Sequence, residues 1–214
     1  MQKSIENVFV AVYTNKVKSY CDVEFFNALQ NNISKEHIYV VDNTNDNGNY
    51  VNELRNIINC NITNLFIPDE PLNTKFHRKV AESVLFLRDI FRKSDYEYFL
   101  IAESDVLIPL NTIETLLNNI ESMPSDTGAI GALYYDGWHN YGLTGLHYTN
   151  HVLSGCTIYK RSMIEKYPFR YQEDYLQAFP DALICTDAIN DYKYYNNHDL
   201  RCNHAHSSNG TRYV

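Results

Sequence analysis

Apolar and polar residues switch between two periods along this 214-residue chain, and the switching sets out the order of its elements. Residues 8–12 form a continuous, β-branched apolar run of strand length, and residues 19–30 carry apolar positions at helical spacing, so the chain opens with a βα unit. Residues 37–41 read as a second strand ending in Asp42. A turn-rich patch over 43–49, a helix over 50–59 and a short apolar run at 65–67 follow. Over 74–93, Phe76, Val80, Val84, Leu87 and Phe91 recur at steps of three and four, the stripe of a long amphipathic helix. That helix feeds the run 98–105, which is apolar until it stops at Glu103 and Asp105. The pattern then predicts a helix over 111–122, strands over 128–134 and 153–159, short helices over 162–166 and 181–189, and strand pieces at 192–195 and 200–203. The Gly- and aromatic-rich connection 135–150 exceeds the roughly two to six residues usual between such elements, and long loops inside compact domains are commonly functional.

Strands alternating with helices predict an α/β fold: a single domain over residues 1–214 with a central, mostly parallel sheet of about six strands flanked by helices, joined by right-handed crossovers. An apolar content of 44%, with 14% aromatic, suffices for a buried core. The formal charge of -8 argues against a nucleic-acid or anionic-membrane partner, because such proteins cluster Lys and Arg. No stretch approaches the roughly 18 consecutive apolar residues of a membrane span. The N-terminal residues lack the apolar core of a signal peptide, so a soluble, cytoplasmic chain is expected. Cys21, Cys60, Cys156, Cys185 and Cys202 are odd in number, scattered and never C-x-x-C, which predicts buried, reduced thiols. The turn after the first strand, Tyr13-Thr14-Asn15-Lys16, has no glycine, and no G-x-x-x-x-G-K-[ST] loop occurs, which weighs against a dinucleotide-binding dehydrogenase and a P-loop NTPase.

The candidate chemistry lies at strand ends. Residues i and i+2 of an extended chain face the same way, so Glu103 and Asp105 can converge on one cation or ligand while Ser104 faces the other way. In open α/β sheets ligands bind beyond the carboxyl ends of the strands. Hard cations such as Mg²⁺ or Mn²⁺ take oxygen ligands and keep substrate phosphates in their remaining positions, so a metal-bridged phosphate ester is the first hypothesis. A strand followed by an acidic turn is its alternative. Asp42 ends another strand, and His204-Ala205-His206 follows the last, so both can reach the same edge. A His among acidic oxygens suits Mn²⁺ better than Mg²⁺. For Asp42 the competing role is a turn cap; for His204 and His206 it is a solvated tail.

The order of these pieces resembles the GT-A fold nucleotide-sugar glycosyltransferases, most closely their family 2-like members, over nearly the whole chain. The resemblance implies that Ala11, Tyr13 and Thr14 of the first turn and Asp42 contact the nucleoside. It maps the D-x-D motif onto Glu103-Ser104-Asp105, with Glu where Asp is usual. Asp105, with His204 or His206, would bind the Mn²⁺ or Mg²⁺ that bridges the diphosphate. Family members continue with an acidic pair opening a helix, a Tyr-rich strand and a last strand ending in His. Residues 180–187, 192–195 and 203–206 look like that series, with Pro180 replacing the first acid and Asp181 on the catalytic-base position. Asp187, Glu173 and Asp174 stand as rivals for the base. Arg78 resembles the basic residue facing the nucleotide, beside Lys75, His77 and Lys79, and Arg212 is a second candidate for the phosphates. Gly155 matches a small residue beside the donor sugar, and Tyr134, Tyr135, Asp136 and Trp138 suit a sugar-binding rim. The implied activity is metal-dependent transfer of a hexose such as glucose or rhamnose from a UDP-sugar to a glycan or glycoprotein acceptor. A sugar-1-phosphate nucleotidylyltransferase, or a GT-A domain that binds carbohydrate without catalysis, are the competing classes. The small size and the stop just after the His motif also resemble the glycosyltransferase domain that opens a larger chlorovirus protein, which implies a piece of a multidomain chain.

Overall fold

The computed structural model describes residues 4–68, 75–134, 143–172, 179–205 and 212–213. Strand β1 (Val8–Thr14) leads through a 3₁₀ turn (Lys16–Cys21) into α1 (Asp22–Gln30). Then come β2 (Ile38–Asp42), α2 (Asn49–Ile57), the edge strand β3 (Asn61–Asn64) and the long helix α3 (Lys75–Arg92). Strand β4 (Tyr98–Glu103) and the two-residue β5 (Val106–Leu107) precede α4 (Thr112–Ser122). The remainder is β6 (Thr127–Tyr134), β7 (Leu146–Thr149), β8 (Cys156–Lys160), α5 (Arg161–Lys166), α6 (Pro180–Ala188), β9 (Lys193–Ala205) and β10 (Arg212–Tyr213).

The α/β class is as the sequence predicts, and the sheet is wider and more mixed. Ten strands join in it among the described residues, in the order β10-β9-β6-β8-β4-β1-β2-β3, with β5 and β7 also on β9. Pairing is parallel from β4 to β3 and between β6 and β9. Strand β8 inserts antiparallel between β4 and β6, and β5, β7 and β10 are antiparallel to β9. The additional strands are short or polar, so no apolar period marks them. Strand β3 falls at Asn61–Asn64 rather than at 65–67, because a half-exposed edge strand needs only backbone pairing. Strand β9 runs unbroken where two pieces are expected: its polar middle coincides with a register shift opposite Ala132 and Leu133, a bulge that lets the strand continue.

Strand β1 is buried along its whole length, which explains its continuous apolar run. Val8, Val10 and Val12 face one core with Phe25 on α1, Leu54 on α2, and Leu116 and Ile120 on α4. Phe9, Ala11 and Tyr13 face the other, with Val84, Phe91 and Ile184. Helices therefore cover both faces, and the ends of β1 and β4 emerge between them. All five cysteines are free, four of them buried. Among the described residues no helix is long and apolar enough to cross a membrane.

One buried charge makes stability depend on pH. Asp22 is 3% exposed, and the Tyr50 hydroxyl hydrogen-bonds its Oδ1 and Oδ2 at 2.9 and 2.8 Å. Burial pushes its pKa up to about 6, against the opposing pull of the Tyr50 bond. A carboxyl raised on folding favours the folded state most when protonated, so this contribution is present below the unfolded pKa near 3.8 and is lost as pH rises through about 6. Asp22→Asn should therefore gain roughly 1–3 kcal/mol over wild type between pH 4 and pH 8. Urea unfolding at both values checks this, and an equal difference at the two would refute it.

Candidate functional site

A cleft of about 910 Å³ opens where β1 and β4 end, lined among others by Tyr13, Lys18, Glu103, Asp105, Ser154, Asp181 and His204. Parallel pairing sets Tyr13 beside Glu103. Asp105 sits in the turn between β4 and β5, and pairing of Val106 with His204, with the Ala205 N–H donating to the Asp105 carbonyl at 2.8 Å, brings His204 next to it. The His204 Nε2 lies 3.4 Å from Asp105 Oδ2. His204 thus joins Glu103 and Asp105 at one edge, whereas Asp42, which the strand-end reading also brings there, does not line the cleft.

The cluster is completed by Lys18. Asn15 caps the 3₁₀ turn by accepting from the Val17 N–H at 3.2 Å, and Cys21 Sγ donates to the Ser104 carbonyl at 3.3 Å, tying the turn to the acidic motif. Lys18 Nζ then donates to Glu103 Oε1 and to Asp105 Oδ1, each at 2.8 Å. Burial alone would lower the Lys18 pKa, but the two carboxylates outweigh it and hold the ammonium above its ordinary value. Burial would likewise raise Asp105, yet His204 and Lys18 together hold it below the usual carboxylate range.

The same cleft is lined by α6, which starts with Pro180 at its first position, where a missing N–H costs nothing. Asp181 follows, 6% exposed, its Oδ2 accepting from the Ser154 N–H at 2.8 Å and its Oδ1 from the Ala182 N–H at 2.9 Å. Burial raises its pKa against those two bonds. The Ser154 and Tyr13 hydroxyl oxygens are 3.4 Å apart.

The other predicted residues lie differently. Ala11 is in the core, and Thr14 is buried at the end of β1 in register with Asp42. Asp42 is fully buried, with Oδ1 accepting from the Thr44 N–H at 2.8 Å and Oδ2 from Asn64 Nδ2 at 2.9 Å, the geometry of a turn cap. Arg78 bonds Glu82 Oε1 at 2.7 Å and lies 5.9 Å from the Tyr171 ring. Ser104 is buried between its two acidic neighbours. At Gly155 an added Cβ would come within 2.2 Å of a Tyr134 ring carbon, so it is this ring that requires the glycine. Asp187, a rival for the base, accepts two bonds from Arg170 at 2.7 and 2.8 Å. Tyr135, Asp136, Trp138, Glu173, Asp174, His206 and the side chains of Lys75 and Arg212 lie outside the described residues. Lys18, Ser154 and Arg170 are cleft residues that the sequence reading does not single out. For Lys18 the available signal was its place in the turn after the first strand.

The Mn²⁺ or Mg²⁺ that the family resemblance implies meets a specific obstacle. The position between Glu103 and Asp105 is taken by an ammonium, and among the described residues no group of three or more His, Cys, Asp or Glu is arranged to hold a metal ion. The residues present fit a monovalent ammonium rather than a divalent ion.

No protein-family model and no curated protein sequence matches the chain. Solved structures do match in fold. The mannosyltransferase PcManGT of Pyrobaculum calidifontis, in complex with GDP-Man and Mn²⁺, aligns with a TM-score of 0.58 at 15% identity over 92% of this chain. S. aureus TarS 1–349 in complex with UDP-GlcNAc aligns with a TM-score of 0.58 at 16% identity over 97% of it. A197 from STIV gives 0.51 at 12% identity over 96% of this chain and 93% of its own length. The chain spans 56% of PcManGT and 61% of that TarS fragment. Its fold is the GT-A-like one of PcManGT and TarS, a mixed sheet flanked by helices.

Proposed function

We propose that the protein is a nucleotide-sugar-dependent glycosyltransferase that moves a hexosyl group of the glucose or rhamnose class from a UDP-sugar to a hydroxyl of a glycan or glycoprotein. The observation that carries the reading is the shared cleft, which Asp181 lines together with the Lys18, Glu103, Asp105 and His204 cluster at the carboxyl edge of the sheet. That edge is where ligands of such sheets bind. The nucleotide sugars held by PcManGT and TarS, on the same fold, support a donor of this class. In the reading, Asp181 accepts the proton of the acceptor hydroxyl as its oxygen attacks the anomeric carbon. The bond from that carbon to the diphosphate breaks, and UDP leaves with the electron pair. Tyr13 and Ser154 line the same cleft.

Calorimetric titration of UDP, GDP and CMP into the protein, each with and without Mn²⁺, tests the reading. UDP should bind at least about tenfold more tightly than GDP or CMP, and Asp105→Ala should weaken UDP by about tenfold or more, the loss of a charge-assisted contact network. If none of the three binds under either condition, the chain is a binding domain on a shared fold and the transferase reading falls.

A further inference from the structure

We propose that Lys18 is the resident cation of this site: its ammonium stands where the family resemblance puts a divalent ion, and it offers its remaining N–H to the diphosphate of the nucleotide. The ligand in this statement rests on the nucleotide-sugar reading of the cleft; the cation rests on the contacts of Lys18 alone.

Those contacts are specific. An ammonium carries three N–H donors. Two go to Glu103 and Asp105 at 2.8 Å each, within the range of charge-assisted bonds; among the described residues the third has no hydrogen-bond acceptor, only the Tyr13 ring with its centroid 6.0 Å from Nζ, and can turn to a ligand in the cleft that Lys18 lines. The Lys18 side chain is only 15% exposed, and burying an ammonium is costly unless it is paired. Lys16, two residues earlier in the same turn, shows the contrast: it reaches Glu53 on the surface with about half of its side chain exposed. The Asn15 cap and the Cys21 contact to Ser104 fix the backbone from which Lys18 extends, so the ammonium is positioned by the fold as well as by its partners.

Asp105 has both oxygens occupied, Oδ1 by Lys18 and Oδ2 by His204. A divalent ion of the Mg²⁺ type needs carboxylate oxygens at about 2.0–2.1 Å, so it would have to drive the ammonium out of the gap. Lysine binds phosphate as a point charge, and a cation fixed before the reaction stabilises the charge that gathers on a departing diphosphate. The arrangement also accounts for Glu103: in this chain the acidic pair serves to hold a lysine.

Two measurements decide it. Mn²⁺ alone, titrated into the wild-type protein and followed by the electron paramagnetic resonance of the free ion, should remain unbound up to millimolar concentration. Submillimolar binding that disappears in Asp105→Ala would overturn the proposal. UDP, titrated in EDTA and again in Mn²⁺, should bind wild type with the same Kd within about twofold. Lys18→Met should lose about tenfold or more in EDTA, with Lys18→Arg, which keeps the charge, falling between them. UDP binding that appears only with Mn²⁺ refutes the resident cation while leaving the transferase reading intact. If UDP binds under neither condition, the transferase reading fails and Lys18 loses its ligand, while the Mn²⁺ titration still decides what fills the carboxylate gap. The wild-type arms need no substitution, so a Lys18→Met protein that failed to fold would not shield the idea.

Discussion

Asp181→Asn should lower sugar transfer by about 10²–10⁴-fold while leaving UDP affinity within about threefold, because general-base catalysis contributes on that scale and the donor does not need the base to bind. The substitution is close to isosteric. An asparagine carbonyl can accept only one of the Ser154 and Ala182 N–H groups that the carboxylate takes, which costs about one hydrogen bond, but Pro180 still opens α6, so the fold should be retained. Burial raises the Asp181 pKa, and a base works only when deprotonated, so the wild-type rate should fall with decreasing pH through a value above the ordinary carboxylate range. That acid limb should disappear from the residual activity of the variant. Measuring kcat against pH for both proteins, with UDP Kd as the control, separates the outcomes. A variant within tenfold of wild type would remove Asp181 from the base position and turn attention to a reaction that retains configuration.

Much of this site was legible because it depends on strand ends. A strand of apolar residues stopping at Glu103 and Asp105 announces where β4 leaves the core, and an i, i+2 pair needs no tertiary knowledge to be placed on one face. Asp181 was reached only through the family resemblance, because an acid at a helix start behind Pro180 is by itself an ordinary N-terminal residue favourable to the helix dipole. Other features depend on pairing across the chain, which no local period records. Lys18 meets carboxylates 85 and 87 positions away, and by composition it is one more basic residue in a polar turn. Asp42 has the same signature as Glu103, an acid ending a buried strand, yet Thr44 and Asn64 turn its oxygens into a cap. What separates the two cases is the neighbour: Asn64 stands beside Asp42 on β3, whereas Glu103 looks into a cleft. Gly155 reads as room for a ligand until the Tyr134 ring is seen to occupy it. The sheet's extent was hidden for a related reason, since β5, β7 and β10 owe their existence to one long partner, β9, rather than to their own composition.

Phe99→Ala should cost about 3–5 kcal/mol, a large part of the roughly 5–15 kcal/mol that holds a typical domain together. Phe99 is fully buried near the start of β4, between Phe9 on β1 and Tyr159 on β8. Its ring stacks on Phe9 with centroids 5.6 Å apart and meets Phe91 of α3 at 5.2 Å and Phe169 at 6.2 Å. Truncation removes all three contacts, and the surrounding strands are hydrogen-bonded on both sides, so the cavity has little freedom to collapse. A chain of this length loses about 2–4 °C of melting temperature per kcal/mol, giving a fall of roughly 6–20 °C. Phe66, also a phenylalanine but 70% exposed, should change stability by no more than about 0.5 kcal/mol when replaced by alanine. Urea unfolding of the two variants makes the comparison, and a Phe99→Ala cost below about 1 kcal/mol would mean that the aromatic layer repacks. The consequence extends to the cleft, because Phe169 is part of its lining and β4 carries Glu103 at the end of the strand that Phe99 anchors. A repacked layer would move the strand end, so UDP affinity should fall in Phe99→Ala at temperatures where the protein is still folded, whereas Phe66→Ala should leave it unchanged.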